Sequence, residues 1–371
     1  MTNSNKDNIK TVLVAPLGWG LGHAARCIPI IKELLANNTR VILAGSGPVA
    51  ALLSTEFPDL ELLTLSSFPV KYPSDKKGFL LKMIWQVPAA IKSIKKETAW
   101  LKQAVKKYSI DAVISDNRMG LYSKEIPCIY ITHQLLIKTG KAKWMERWAQ
   151  KIHYRFINRF KECWVPDFEQ KELSLAGELS HPENLPNVPV KYIGALSRLI
   201  KKENAAKKYD TIIILSGPEP QRSIFENILV DQLKTYNETT LFIRGLPAET
   251  DVLLPINNTK FVNHLTADEL SNAIASSEIV ISRTGYTTVM DLIKLNKKAI
   301  LVPTPGQPEQ EYLAGYLLQN NIFYTVGQEN FNLPEHIEKA GNFNYRFNKH
   351  NNHMDGFKFF IKEFNSSFYN Q

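Results

Sequence analysis

Three cysteines in 371 residues (Cys27, Cys128 and Cys163) are too few and too scattered for a disulfide framework or a metal-ligand spacing, and they fit a reducing compartment. No run of about 18 apolar residues occurs, so no membrane-spanning helix is expected. The opening MTNSNKDNIK is polar and has no signal-peptide pattern, which points to the cytoplasm. No Asp-x-Asp pair is present, so the sequence calls for no metal. The glycines after the first apolar run are not spaced as GxGxxG, and Gly45-Ser46-Gly47 stands where an acid would end the second strand, which argues against a nicotinamide cofactor. Repeats and low-complexity tracts are also missing.

What is present is an uneven charge. The net +9 combines residues 1–208, with 32 Lys+Arg against 18 Asp+Glu, and residues 209–371, with 13 against 18. The basic excess concentrates in residues 76–107 and 138–161, which predicts one face meeting an anionic partner, an anionic membrane surface in particular. Nucleic acid is not expected, because no basic-aromatic recognition motif accompanies the charge and the second half is acidic. Within 144–160, Trp144, Trp148, Ile152, Phe156 and Phe160 recur every four residues beside Lys143, Arg147, Lys151, Arg155 and Arg159. That pattern reads either as a helix in a membrane interface or as lobe core with a solvated basic face. Phe79-Leu80-Leu81 and Met83-Ile84-Trp85 form a candidate second insertion point.

Short apolar runs alternate with helical patterns twice over: Thr11–Ala15, Arg40–Ala44, Glu61–Leu65, Ala112–Ser115, Cys128–Thr132 and Cys163–Val165, then Thr211–Leu215, Thr240–Ile243, Thr259–Val262, Ile279–Ile281 and Ala299–Val302. The expectation is an α/β protein of two Rossmann-like doubly wound domains facing each other across a cleft, residues 1–200 and 201–354, with 185–208 as linker and a C-terminal helix in 355–371 packing back on the first domain.

Ligands of such sheets sit beyond the carboxyl ends of the strands. In the first half, PLGWGLGH places Gly18, Gly20 and Gly22 before a helix opening near His23, where a phosphate or a general base fits. In the second half, Ser282-Arg283-Thr284-Gly285 leads into a helix bearing Thr287 and Thr288, which suits phosphate. Gln307, Glu309, Gln310 and Glu311 follow the next strand and suit a ring of sugar hydroxyls.

These stretches resemble a family. GWGLGHAAR (18–26), VISRTGYTTVMDL (280–292) and LVPTPGQPEQEYLAGYL (301–317) are similar, in order, to the glycine loop, donor signature and following segment of MurG-type glycosyltransferases of family twenty-eight, which have the GT-B fold. The variants GWGLGHA-R, SDNR (115–118) and THQ (132–134) look closer to a separate branch of predicted glycosyltransferases than to MurG. The resemblance implies that Asp291 holds the ribose, that Gln310 and Glu311 read the donor sugar, and that Leu265 reads the uracil edge by its backbone. It also implies that Ser216 and Gly217 form the second-lobe glycine loop and that Arg198 reaches a phosphate. Asp for Glu at 291, Glu for Gln at 311 and two prolines after Gly217 depart from the family pattern, so the donor sugar stays open, N-acetylglucosamine included.

The resemblance further implies a metal-independent inverting transfer from a UDP-sugar to a lipid-linked or cell-envelope acceptor, peripheral on the inner face of the cytoplasmic membrane. No cofactor beyond the donor substrate is expected. Candidate bases are His23, then Asp116, then His133. The alternatives are a nucleotide-sugar epimerase of the same fold, which would need several carboxylates around the sugar, and a non-catalytic nucleotide-sugar-binding protein.

Overall fold

The computed structural model describes residues 10–67, 79–140, 142–203, 205–247 and 249–351. The first lobe runs β1 (Thr11–Pro16), α1 (Leu21–Ala36), β2 (Arg40–Gly45), α2 (Gly47–Glu56), β3 (Leu62–Thr64), α3 (Phe79–Tyr108), β4 (Ala112–Asp116), β5 (Cys128–Ile131), α4 (Lys143–Ile157), β6 (Glu162–Val165) and β7 (Val190–Tyr192). The second runs β8 (Tyr209–Ile214), α5 (Gln221–Leu233), β9 (Thr240–Ile243), β10 (Thr259–Val262), α6 (Ala267–Ala275), β11 (Ser277–Arg283), α7 (Tyr286–Leu295), β12 (Ala299–Val302), α8 (Pro308–Gln319), β13 (Tyr324–Thr325), α9 (Leu333–Gly341) and α10 (Asn348–Asn351).

Both sheets are parallel. Their orders are β3-β2-β1-β4-β5-β6-β7 and β10-β9-β8-β11-β12-β13. Each therefore reverses direction once, between β1 and β4 in the first and between β8 and β11 in the second. Strands this buried on both faces need unbroken apolar sequence, and Val12–Ala15 and Ile279–Ile281 supply it. At each reversal the loops leave on opposite faces and open a crevice. The two crevices position the site.

The lobes are not independent. One apolar cluster runs through both, joining Val14, Ile28 and Trp164 to Met290, Leu313 and Phe323. Tyr286 at the start of α7 is buried and donates its hydroxyl to the Pro166 carbonyl of the first lobe, 2.7 Å away. Across the same seam the Glu178 N–H donates to the Tyr312 hydroxyl at 2.7 Å, and the Tyr316 hydroxyl to the Ser174 carbonyl at 3.0 Å.

Two sequence expectations need correction. Residues 185–208 are not all linker: Val190–Tyr192 pairs with β6 as a three-residue edge strand, and Pro186 and Pro189 lie outside it, where a missing N–H costs nothing. The aromatic series from Trp144 is neither all core nor all surface. A four-residue repeat drifts about 40° per step on a helix of 3.6 residues per turn. Trp144 and Trp148 accordingly lie 68% and 65% exposed, while Phe160 is buried, and the face α4 buries is Glu146, Gln150, His153 and Ile157. Side chains 79–87 and the segment 355–371 lie outside what the structure describes. Among the described residues no helix is long and apolar enough to cross a membrane.

Trp164 is fully buried in the shared cluster and its indole N–H donates to Glu162 at 2.7 Å. Trp164→Ala should cost about 3–5 kcal/mol in urea unfolding. Because the cluster spans both lobes, the loss should appear as one shifted transition, not as a separate first-lobe transition.

Candidate active site between the lobes

The end of β4 and the start of α1 meet at the first reversal. His23 Nδ1 lies 2.8 Å from Asp116 Oδ1, and Arg26, one helical turn beyond His23, grips both carboxylate oxygens of Asp116. Arg26 and Asp116 are buried, a placement tolerable only because each charge answers the other. Burial alone would raise the Asp116 pKa, but the charges of Arg26 and His23 outweigh it and hold the carboxyl well below the usual range. Burial and the Arg26 charge lower the His23 pKa against the pull of Asp116.

His23 Nδ1 faces two partners, the accepting Asp116 Oδ1 at 2.8 Å and the donating Arg26 Nη2 at 2.9 Å; in the tautomer that gives the Nδ1 proton to Asp116, the Nε2 lone pair is the free one, on a side chain 20% exposed. This is how a carboxylate sets up a histidine as general base. The other two candidates are placed differently. Asp116 has both carboxylate oxygens engaged by Arg26 and one of them by His23. His133 Nδ1 faces the donating Arg26 Nη1 at 3.2 Å, so Nε2 carries the proton toward Glu309 Oε1 at 2.8 Å. Its ring also stacks on Tyr286, centroids 4.2 Å apart and planes within 7°. Both its nitrogens are engaged, which makes it a connector between lobes.

The glycine loop is braced from below. Arg118 donates to the Pro16 carbonyl at 2.8 Å, to Glu97 at 2.8 Å and to the Ser67 hydroxyl at 2.6 Å, and Ser67 in turn accepts from the Gly18 N–H at 2.9 Å. Gly22 touches the second lobe: Thr287 Oγ1 donates to its carbonyl at 3.3 Å, and a Cβ there would sit 2.9 Å from that oxygen. The N-termini of α1 and α7 thus converge. Neither has a side-chain cap or an acid in its first turn, so two positive helix ends face one space with nothing negative of their own.

At the second reversal Gly217 has φ +108, open only to glycine, and the nearest atom to a Cβ there would be Thr304 Oγ1 at 4.0 Å. Thr284 Oγ1, Thr304 Oγ1 and Gln221 Oε1 are buried without a partner. Unpaired buried polar atoms beside an open turn are available to hydrogen-bond a polar ligand. Ser216 is exposed beside them, and Gly20 has nothing within 4 Å of a would-be Cβ.

Other expected residues are engaged locally. Arg283 is buried beneath its loop, donating to the Gln221 carbonyl and to Gln328, each at 2.7 Å, with burial lowering its pKa to about 10. It shapes the turn from below and does not face the cleft. Gln310 accepts from the Thr304 N–H at 2.9 Å and donates to Gln307 at 2.6 Å, while Glu311 accepts from the Gly306 N–H at 3.0 Å, so these three brace their own loop. Glu309 turns to His133 and Gln134. Arg198 pairs with Glu56 at 3.2 Å. Leu265 is partly buried in the loop that follows β10, and Thr288 lies on the first turn of α7. Asp291 accepts from the Ser197 hydroxyl of the interlobe segment. Sequence reasoning missed Arg26, although it stands three residues after His23 and so shares its helix face. It also missed Tyr286 and Gln134. Among the described residues no group of three His, Cys, Asp or Glu could hold a metal ion.

Residues 196–365 match the family model described as the glycosyltransferase family 28 C-terminal domain, a range covering the second lobe and less than half the chain. The whole chain has the GT-B fold. It is similar to CalG4, the calicheamicin glycosyltransferase (TM-score 0.68, 10% identity, 98% of this chain and 99% of that one). It is also similar to Phytolacca americana UGT2, solved with UDP-2-fluoro-glucose and pterostilbene (0.61, 12%, 97% and 99%). MurG of Acinetobacter baumannii matches as well (0.55, 13%, 96% and 99%). No curated protein matches the sequence significantly.

Burial pushes the Asp291 pKa up to about 6, against Ser197, Arg198 and Lys294. A carboxyl whose folded pKa exceeds its unfolded one binds more protons when folded, so stability falls as pH rises from about 4 to about 6 and stays lower above. Asp291→Asn should therefore gain roughly 1–2 kcal/mol at pH 7.5, after discounting for solvent access, and nothing below pH 4. Thermal unfolding at the two pH values checks this.

Proposed function

We propose that the protein is an inverting, metal-independent glycosyltransferase that moves a sugar from a UDP-sugar to an amphiphilic, lipid-linked acceptor on the inner face of the cytoplasmic membrane. The observation that carries the reading is the His23–Asp116 dyad standing at one sheet reversal, directly opposite the uncapped N-terminus of α7 at the other.

The steps follow from that placement. The acceptor hydroxyl lies against His23 Nε2 and gives it the proton as its oxygen attacks the anomeric carbon. The bond from that carbon to the diphosphate breaks on the opposite face, which inverts the configuration. Negative charge grows on the leaving diphosphate, and the converging N–H groups of α1 and α7 are fixed dipoles already aimed at it. The unpartnered Thr284 and Thr304 hydroxyls and the open Gly217 turn would take phosphate or sugar oxygens. Asp291 would exchange the Ser197 hydroxyl for the ribose hydroxyls, and Leu265 would meet the base. Glu309, on the helix facing the dyad, would meet the donor sugar. The basic excess of segment 138–161 and the exposed Trp144 and Trp148 support the membrane side.

His23→Ala should lower kcat by about 10²–10⁴ while leaving UDP affinity unchanged, since the base contributes only to the transition state. Single-turnover kinetics and calorimetry separate the two, and unchanged turnover would sink the assignment. The acid limb of the kcat/KM profile should lie below pH 6.5, because the His23 pKa is lowered from that value. A panel of UDP, GDP and TDP in thermal shift tests the donor: no stabilisation by any of them rules the reading out.

A further inference from the structure

A second cavity of about 270 Å³ opens in the first lobe, away from the dyad, between the 136–138 segment, the first two turns of α4 and residues 171–184. That is smaller than the roughly 300–1,000 Å³ of drug-sized ligand sites, so it suits a headgroup more than a nucleotide. Its lining is polar and mixed in charge. Lys138 is committed internally, 2.7 Å from Glu178 and 3.5 Å from Glu146. Glu146 also accepts from the Thr139 N–H at 3.2 Å. Lys143, Arg147, Lys171 and Glu183 also line the cavity; none of these four side chains forms a hydrogen bond or salt bridge among the described residues, and Lys143 and Lys171 stand close enough to Glu178 to help Lys138 hold its pKa down.

The position adds a second constraint. Trp144 and Trp148 stand one turn apart on the helix that walls the cavity, both exposed, next to exposed Lys151 and Arg155. Two such tryptophans beside lysines and arginines mark the depth of a membrane interface. His133 and Lys138 are five residues apart, so at most about 17 Å separates the cavity's edge from the dyad's neighbour.

We propose that this cavity binds the headgroup of an amino-phospholipid, a phosphate carrying a primary ammonium, with the lipid's chains lying beside Trp144 and Trp148. The phosphate meets Lys143, Arg147 and Lys171, and the ammonium meets Glu183. A purely anionic headgroup would leave that carboxylate facing like charge. The bound lipid fixes the depth and tilt of the first lobe, which presents the cleft mouth to an acceptor in the same leaflet. Lipid binding involves no sugar transfer, so it stands or fails separately from the transferase reading.

Co-sedimentation of the full chain with vesicles of phosphatidylcholine, phosphatidylcholine with phosphatidylethanolamine, and phosphatidylcholine with phosphatidylglycerol tests it. The expected result is at least tenfold tighter binding when phosphatidylethanolamine is present than with phosphatidylcholine alone. In solution, sn-glycero-3-phosphoethanolamine should shift amide resonances of 143–147 and 171–184 at concentrations where glycerol 3-phosphate does not. Lys171→Glu, on a surface turn outside the proposed active site, should abolish the preference while UDP-induced thermal stabilisation is kept. Binding that follows phosphatidylglycerol alone, equal response to the two soluble probes, or an unchanged preference in Lys171→Glu each overturns the proposal.

Discussion

The buried pair of Arg26 and Asp116 is the interaction on which the site depends. Two unit charges out of water cost several kcal/mol each unless their geometry answers them, and removing one partner strands the other. Here the answer is two-fold contact, with one Arg26 nitrogen left for His133. The pair thereby fixes three things together. It holds His23 Nδ1 between Asp116 and Arg26, sets the His133 tautomer through Arg26, and sets the partner of Glu309 through His133. A chain of polar contacts, first-lobe carboxylate to second-lobe carboxylate, crosses the cleft with the dyad at one end.

That chain explains why the lobes can share an apolar cluster and still leave a polar crevice. Tyr286 seals the apolar side by stacking on His133 and reaching Pro166, and immediately after it the first turn of α7 opens its free N–H groups toward Gly22. Two positive helix ends brought this close repel, and the sequence supplies no acid to either. An anion between them relieves the repulsion. A diphosphate is the anion that the orphaned threonines on the second-lobe side also suit.

The sequence made the strands and the two reversals legible because parallel strands buried on both faces must be continuous apolar runs, and the loops that follow carry glycine. His23, Asp116 and His133 were legible by position, at strand ends or a helix start. Their order of merit was not, since it depends on which nitrogen is free. Arg26 makes that decision, and it was passed over because an arginine in an amphipathic helix ordinarily faces solvent. Gln310 and Glu311 show the converse. Their residue types suit sugar hydroxyls, but short loops also need acceptors for their own N–H groups, and Thr304 and Gly306 claim them. The edge strand at Val190–Tyr192 escaped notice because three residues hold no periodicity.

The four-residue spacing from Trp144 to Phe160 carries the last step. A stripe meant only for the core would keep to a 3.6-residue period and stay on one face. This one begins outside and ends inside, so the first two turns of α4 expose tryptophan while Phe160, just past the helix end, packs against Tyr122 and Tyr130. Burying both tryptophans in a membrane interface would recover on the order of 1.5–3 kcal/mol each by apolar area. The flanking cations would add about 1 kcal/mol apiece near an anionic surface. Under the proposed membrane reading these terms act together, so the basic excess and the exposed aromatics of the first lobe form one surface and the acidic second lobe is the part that stays in water.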